Sequence, residues 1–327
     1  MIVTGFPLAR TNLMAVVYQL HDVLPAPPPV VSPMDPGSSR SDQISLSPSS
    51  CPGSIPVSAA GLHRFSPVRE VTLDDSFSPS VYRDLIQAPF VIRDAIQHWP
   101  ALQLWTLEYL NKSAGHRLVP VELGSTYLDS AWSQSLMTLN QFLRVHVMPA
   151  AHRVQSDDDD DEPATVGYLA QYNLFALLPH LRSHTSIPDQ IHRRTTSSTS
   201  DAHTPKPSLD STDAIRINAW FGPRGTVTPL HHDGNLNNMF AQVVGSKRVV
   251  LFPPSDSHLL ADLDGMLHNT SSVDVRKWPE EVEARLELAQ AHGVEAVCRA
   301  GDLLYIPPNY WHHVESLATS FSVSFWF

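Results

Sequence analysis

The sequence is poor in cysteine, in glycine and in positive charge, and it has no long apolar run. Cys51 and Cys298 are the only cysteines in 327 residues. Two such thiols build neither a disulfide framework nor a Cys-rich zinc site, so an intracellular, reducing location is expected, in the nucleus or the cytoplasm. Lys and Arg number 22 against 33 Asp and Glu, for a net charge of −11. Nucleic-acid binding rests on basic surface, so direct nucleic-acid binding is not expected. An acidic protein suits a basic protein or peptide partner instead. No stretch of about 20 apolar residues occurs, which argues against a membrane-spanning helix. Met1–Pro25 makes a poor signal peptide, because Arg10 is its only early cation and Gln19, His21 and Asp22 interrupt its apolar run.

Proline is abundant, with 28 residues against 14 glycines, and much of the excess falls between 25 and 60. A Pro- and Ser-dense segment buries too little apolar surface to offset its ordering entropy. Residues 1–60 are therefore read as a mostly disordered N-terminal segment, with at most a short helix around Asn12–Leu24. Residues 61–327 are read as one globular domain. Two disordered insertions are expected within it, near 153–164 and 183–212. The first holds the run Asp157–Glu162, which supplies six of the negative charges. Like charges in a block repel and stay solvated. The second is rich in Ser, Thr and His.

Between these segments the sequence changes character. Pro89–Arg93 and Leu118–Leu123 read as strands. Asp94–Trp99, Trp105–Ala114 and Thr138–Val147 read as short helical pieces. The C-terminal third is strand-rich, with runs at Ile215–Phe221, Thr226–His232, Met239–Val244, Lys247–Phe252, Ala296–Arg299, Leu303–Ile306, His312–Leu317 and Phe321–Phe327. Turn residues separate them. Trp278–Ala291 is the helical exception. Many short strands with little helix between them predict an antiparallel barrel or jelly roll, mainly β with flanking helices.

Thr228-Pro229-Leu230-His231-His232-Asp233-Gly234 carries the strongest chemical signal. On a strand, residues two apart share a face, so His231 and Asp233 converge while His232 points away. A third ligand fits best at His312, after a glycine turn, the strand Leu303–Ile306 and a proline-marked bend. His313 then turns to the opposite face. Two histidines and one carboxylate leave metal positions open, the facial arrangement of non-haem iron(II) oxygenases. Zinc also suits this donor set, so spacing alone does not name the metal. Lys247 has two readings. It is a solvated lysine at the Gly245-Ser246 turn, or it shares an inward face with Val249 and Leu251 and needs an anionic partner.

Several segments together resemble the JmjC-domain oxygenases, most closely the jumonji-domain-containing protein five type, known as arginyl hydroxylases and as lysine-specific demethylase eight. They are Val119–Ser125, Trp132–Thr138, Gly167–Gln171, Asn218–Pro223, His268–Val275 and Ser320–Trp326. The resemblance covers roughly residues 88–327. It implies a double-stranded β-helix with a cupin-like JmjC barrel. It implies an Fe(II) ion on His231, Asp233 and His312, with 2-oxoglutarate and O2 as co-substrates. It places the co-substrate lysine at Lys247 and helper residues at Tyr168, Thr228 and Asn238. One extra residue between Asp233 and Asn238 leaves Asn237 as the alternative to Asn238.

Glu122 and Trp220 are the substrate candidates, since a carboxylate and an aromatic face suit a cationic side chain. Their bland alternatives are a structural ion pair and core packing. The resulting expectation is a dioxygenase that hydroxylates a protein side chain, with arginine first. Histone lysine demethylation by the same chemistry is the alternative. A catalytically silent interaction module would lack the triad or the lysine, and a cupin-type isomerase or storage barrel would offer more histidines.

Overall fold

A computed structural model describes residues 65–72, 84–148, 166–189, 191 and 215–327. The expected N-terminal disorder, the acidic run and residues 192–214 lie outside the described residues. Eight strands form the central barrel: β7 (Arg216–Gly222), β8 (Val227–His232), β9 (Asn238–Val244), β10 (Ser246–Phe252), β11 (Val294–Arg299), β12 (Leu303–Ile306), β13 (Trp311–Ser316) and β14 (Ser320–Trp326). They divide between two sheets. One runs β11-β10-β13-β8 and the other β12-β9-β14-β7, all antiparallel. The chain changes sheet at most of its turns, which is the jelly-roll path the strand-rich pattern predicts.

Six more strands extend these sheets. β1 (Ser66–Pro67) pairs with β11, while β2 (Arg69–Val71) and β3 (Phe90–Ile92) continue beyond β12. On the far side, β6 (Gly167–Tyr172), β4 (Leu118–Leu123) and β5 (Ser133–Thr138) continue beyond β7. β5 was not anticipated, because most of its side chains are half-buried or exposed and give no clear alternation.

Alternation assigns each face. On β10, Val249 and Leu251 join Phe240, Leu304, Ile306 and Val314 in the apolar filling between the sheets. Val250 and Phe252 point outward and pack under Leu259, Leu260, Val275 and Leu288 of the excursion between β10 and β11. β14 reverses the usual polarity. Phe321, Val323 and Phe325 face the outer helical layer, which leaves Ser322, Ser324 and Trp326 on the inner face. The outer layer is capped in the ordinary way: Thr106 accepts the Tyr109 N–H at the start of the helix Leu107–Ala114.

The Gly245-Ser246 turn is not a hairpin. β9 and β10 lie in different sheets, so the turn is a corner that carries the chain from one to the other. Gly245 takes φ +70, and a Cβ there would fall 2.1 Å from the Thr319 carbonyl oxygen. Only glycine fits both demands.

Other expectations need correction. Asp94–Trp99 is a series of turns rather than a helix. Asp94 has φ 55, with its N–H on the Asp302 carboxylate, and the Ile96 N–H is drawn to Gly301. Thr138–Val147 keeps its buried stripe but passes from α-helix (Leu139–Phe142) to a π turn (Leu143–Val147). Trp278–Ala291 breaks at Arg285, whose side chain is held by Asp262 and the Leu259 carbonyl. The second insertion starts later than residue 183. His184 accepts the Trp105 indole N–H at 3.1 Å, and Ile191 is buried.

Candidate metal centre

β8 and β13 are antiparallel neighbours, and His231 and His312 are directly opposed in their register. Their rings sit 4.2 Å apart, centroid to centroid. Asp233 lies one residue beyond β8, still on the face that His231 uses. Its carboxylate oxygens are 3.8 Å from His231 Nε2 and 3.7 Å from His312 Nε2. One ligand atom from each of the three residues falls within 4.8 Å of the others. All three side chains are buried.

The surrounding hydrogen bonds choose which atoms are free. Nδ1 of His231 is 2.8 Å from the Pro229 carbonyl, and Nδ1 of His312 is 3.1 Å from that of Tyr310. A carbonyl only accepts, so each Nδ1 carries the proton and each Nε2 presents a lone pair. Asp233 Oδ2 accepts from the Trp326 indole N–H at 2.8 Å and from Asn238 Nδ2 at 3.0 Å. Oδ1 is buried with no hydrogen-bond partner. Two bare imidazole nitrogens and an orphaned carboxylate oxygen form a donor set that a divalent transition ion satisfies. Burial, reinforced by His312, pushes His231 far below the usual histidine range and keeps it neutral for ligation. Burial alone would raise Asp233. The flanking His312 and His231, with the bonds from Trp326 and Asn238, outweigh it and hold the carboxylate below its usual range.

The neighbouring histidines are turned away as alternation requires. His232 packs edge-on against Trp311 at 4.8 Å. His313 lies opposite Val250 on the outer face of β10 and is fully buried, and burial pushes it down to about 3.

Lys247 is the second centre of charge. It is 1% exposed, which excludes the solvated reading. Its Nζ donates to the Tyr168 phenol at 3.1 Å and stands over the rings of Tyr168 and Phe240 at 5.4 and 5.7 Å. No carboxylate among the described residues offsets its burial, which pushes the amine down from 10.5 to about 7. Thr228 hydrogen-bonds the same phenol. Lys247, Tyr168, Thr228, Asn238, the triad, Trp220 and Trp326 all line one cleft of about 370 Å³. Asn238 lines this cleft, whereas the Asn237 side chain donates to the Phe327 carbonyl and accepts from the Tyr305 hydroxyl.

The two substrate candidates are not side by side. Trp220 is buried in the metal cleft, its indole N–H on Ser324 Oγ at 3.1 Å, in an aromatic group with Tyr168 and Trp326. Glu122 lines an adjoining cleft of about 240 Å³ with Tyr127, Trp132 and Tyr168. Tyr168 belongs to both, since β4 and β6 pair at Glu122 and Tyr168. Sequence reasoning missed Tyr127, Trp132 and Trp326 as site residues. Trp326 was open to discovery, because strand alternation from Ser322 and Ser324 puts it on their face. Tyr127 sits on the loop after β4, where no periodicity operates.

Comparison with known proteins agrees with this geometry. The profile of the Cupin-like domain family matches residues 84–327. Lysine-specific demethylase 8 of Xenopus tropicalis is 39% identical over 241 residues, 73% of this chain and 48% of that protein. Jumonji C domain-containing protein 5 of Drosophila melanogaster is 39% identical over 73% of this chain and 54% of its own. The Bifunctional peptidase and (3S)-lysyl hydroxylase JMJD7 of Homo sapiens is 27% identical over 75% of this chain and 79% of its own. The chain spans about half the length of the first two relatives. With the barrel, the triad and these matches together, the chain belongs to the cupin-like JmjC domain family.

Proposed function

We propose that the chain is an iron(II)- and 2-oxoglutarate-dependent oxygenase that hydroxylates an arginyl side chain of a basic protein or peptide. One observation carries the co-substrate reading. A single cleft holds a three-donor metal site at one end and, at the other, a buried lysine with no carboxylate partner among the described residues. A dicarboxylate with a 2-oxo acid head matches both ends.

In this reading His231, Asp233 and His312 hold Fe(II). When bound, the iron couples oxidation of 2-oxoglutarate to succinate and CO2 with transfer of one oxygen atom of O2 into a substrate C–H bond. The chain's residues do the rest. Lys247 takes the distal carboxylate, and the Tyr168 phenol and Thr228 hydroxyl turn toward the same group. Asn238 and Trp326 fix Asp233 Oδ2, so that Oδ1 is the atom left for the ion. Phe240, Val249 and Val314 line the cleft and exclude water around the ammonium. Glu122 takes the guanidinium from the adjoining cleft, with Tyr127, Trp132 and Trp220 as aromatic surfaces for the side chain.

Lysine demethylation is the second reading, favoured by the name of the Xenopus relative. Mass spectrometry separates the two. Arg-containing and methyl-lysine peptides incubated with iron-loaded enzyme should show one added oxygen on arginine. Loss of a methyl group from lysine, with arginine unchanged, would replace hydroxylation by demethylation.

A further inference from the structure

Tyr168 is the side chain shared by the two clefts, and its position depends on a missing side chain across the sheet. β6 and β7 pair at Leu169 and Phe221, so Tyr168 comes level with Gly222 at the end of β7. Gly222 is buried, and it is not among the glycines with positive φ, so its backbone makes no demand for glycine. The demand is for space. A Cβ on Gly222 would lie 2.8 Å from Cδ2 of the Tyr168 ring and 2.8 Å from the Thr226 methyl. The Tyr168 ring rests where that Cβ would be. Its other surroundings leave little retreat: Trp220 is 6.1 Å away ring to ring, and the phenol is tied to Lys247 and Thr228.

We propose that Gly222 is a positioning residue for the co-substrate pocket, supplying the hollow that sets the Tyr168 phenol against Lys247. The proposal rests on the reading of Lys247 and Tyr168 as the 2-oxoglutarate anchor. A methyl group at 222 displaces the ring, and a shift of about an ångström takes the phenol out of hydrogen-bond reach of Nζ. The effect falls on co-substrate affinity, because Gly222 touches neither the triad nor the cleft contents.

A double-mutant cycle tests it. Calorimetric binding of 2-oxoglutarate to the Mn(II)-loaded protein is measured for wild type, Gly222→Ala, Tyr168→Ala and the double variant. Thermal unfolding is followed for each. Gly222→Ala should weaken binding roughly tenfold or more. With the ring removed the added methyl meets only the Thr226 methyl, so the double variant should match Tyr168→Ala within about twofold. Wild-type affinity in Gly222→Ala, or losses that multiply in the double variant, would overturn the proposal. If Gly222→Ala fails to fold, recovery of the fold in the double variant supports it. Failure of both means that the methyl acts through Thr226 and overturns it. Lys247→Met is the control for the underlying reading: unchanged binding there sinks the pocket itself, whereas a loss there with Gly222→Ala unaffected sinks only the role of Gly222.

Discussion

Lys247 should make co-substrate binding pH-dependent. In the empty pocket its amine is pushed down to about 7 by burial. A dianionic co-substrate binds the ammonium form, so above that value each binding event must also take up a proton. Apparent affinity then falls as pH rises through 7, with a slope approaching tenfold per pH unit. For a single group titrating at about 7, affinity weakens about fivefold between about pH 7 and 8 and about ninefold more by about pH 9. Burial drives both Tyr168, on the wall, and Cys298, paired with Lys247 across β10 and β11, upward and keeps them neutral across this range, while the triad carries the metal throughout the assay. The assay is 2-oxoglutarate titration of the Mn(II)-loaded protein by calorimetry from about pH 6 to about pH 9. Lys247→Arg is the decisive comparison, because a guanidinium stays charged throughout and should flatten the profile whatever its absolute affinity. A flat wild-type profile, or the same slope in Lys247→Arg, would refute the reasoning.

Three further predictions concern stability and metal binding. Lys247→Met should raise the unfolding free energy of the ligand-free protein by about 1–4 kcal/mol, because it removes a buried charge without a carboxylate partner, while added 2-oxoglutarate should no longer raise Tm. A lower Tm for the variant would contradict this. Trp326→Phe removes the 2.8 Å bond to Asp233 Oδ2 and should weaken metal affinity about tenfold to a hundredfold by direct titration; unchanged affinity would show that Asn238 alone orients the carboxylate. Asn237→Ala should cost about 1–3 kcal/mol in denaturant melts, through its lost contacts to Tyr305 and Phe327, and leave 2-oxoglutarate affinity unchanged. A loss of affinity there would return Asn237 to the co-substrate site.

The triad was legible because strand geometry is periodic. His231 and Asp233 share a face by a rule that needs no tertiary information, and the same rule sent His232 and His313 outward. Lys247 was only half legible. Its shared face with Val249 and Leu251 could be read, but whether that face was inside depended on a corner between sheets at Gly245, which sequence cannot distinguish from a hairpin. The choice between Asn237 and Asn238 turned on one residue of register and needed the pairing of β9 with β12 and β14. Helix boundaries failed where tertiary bonds won. Asp302 and Gly301 bend the chain at Asp94 and Ile96, and Asp262 holds Arg285 out of a helix. The substrate cleft was least legible, since Tyr127 and Trp132 lie on and beside a loop, and the contact between Gly222 and Tyr168 crosses two strands far apart in sequence.

The most direct test of the central claim is anaerobic titration of the iron(II)-loaded protein with 2-oxoglutarate, followed by visible absorption. A 2-oxo acid chelated to iron on His231, Asp233 and His312 should develop a charge-transfer band that saturates at one equivalent. The band should be lost in Asp233→Ala and should need far more co-substrate in Lys247→Met. A folded, iron-loaded wild-type protein that develops no band at saturating 2-oxoglutarate would contradict the claim.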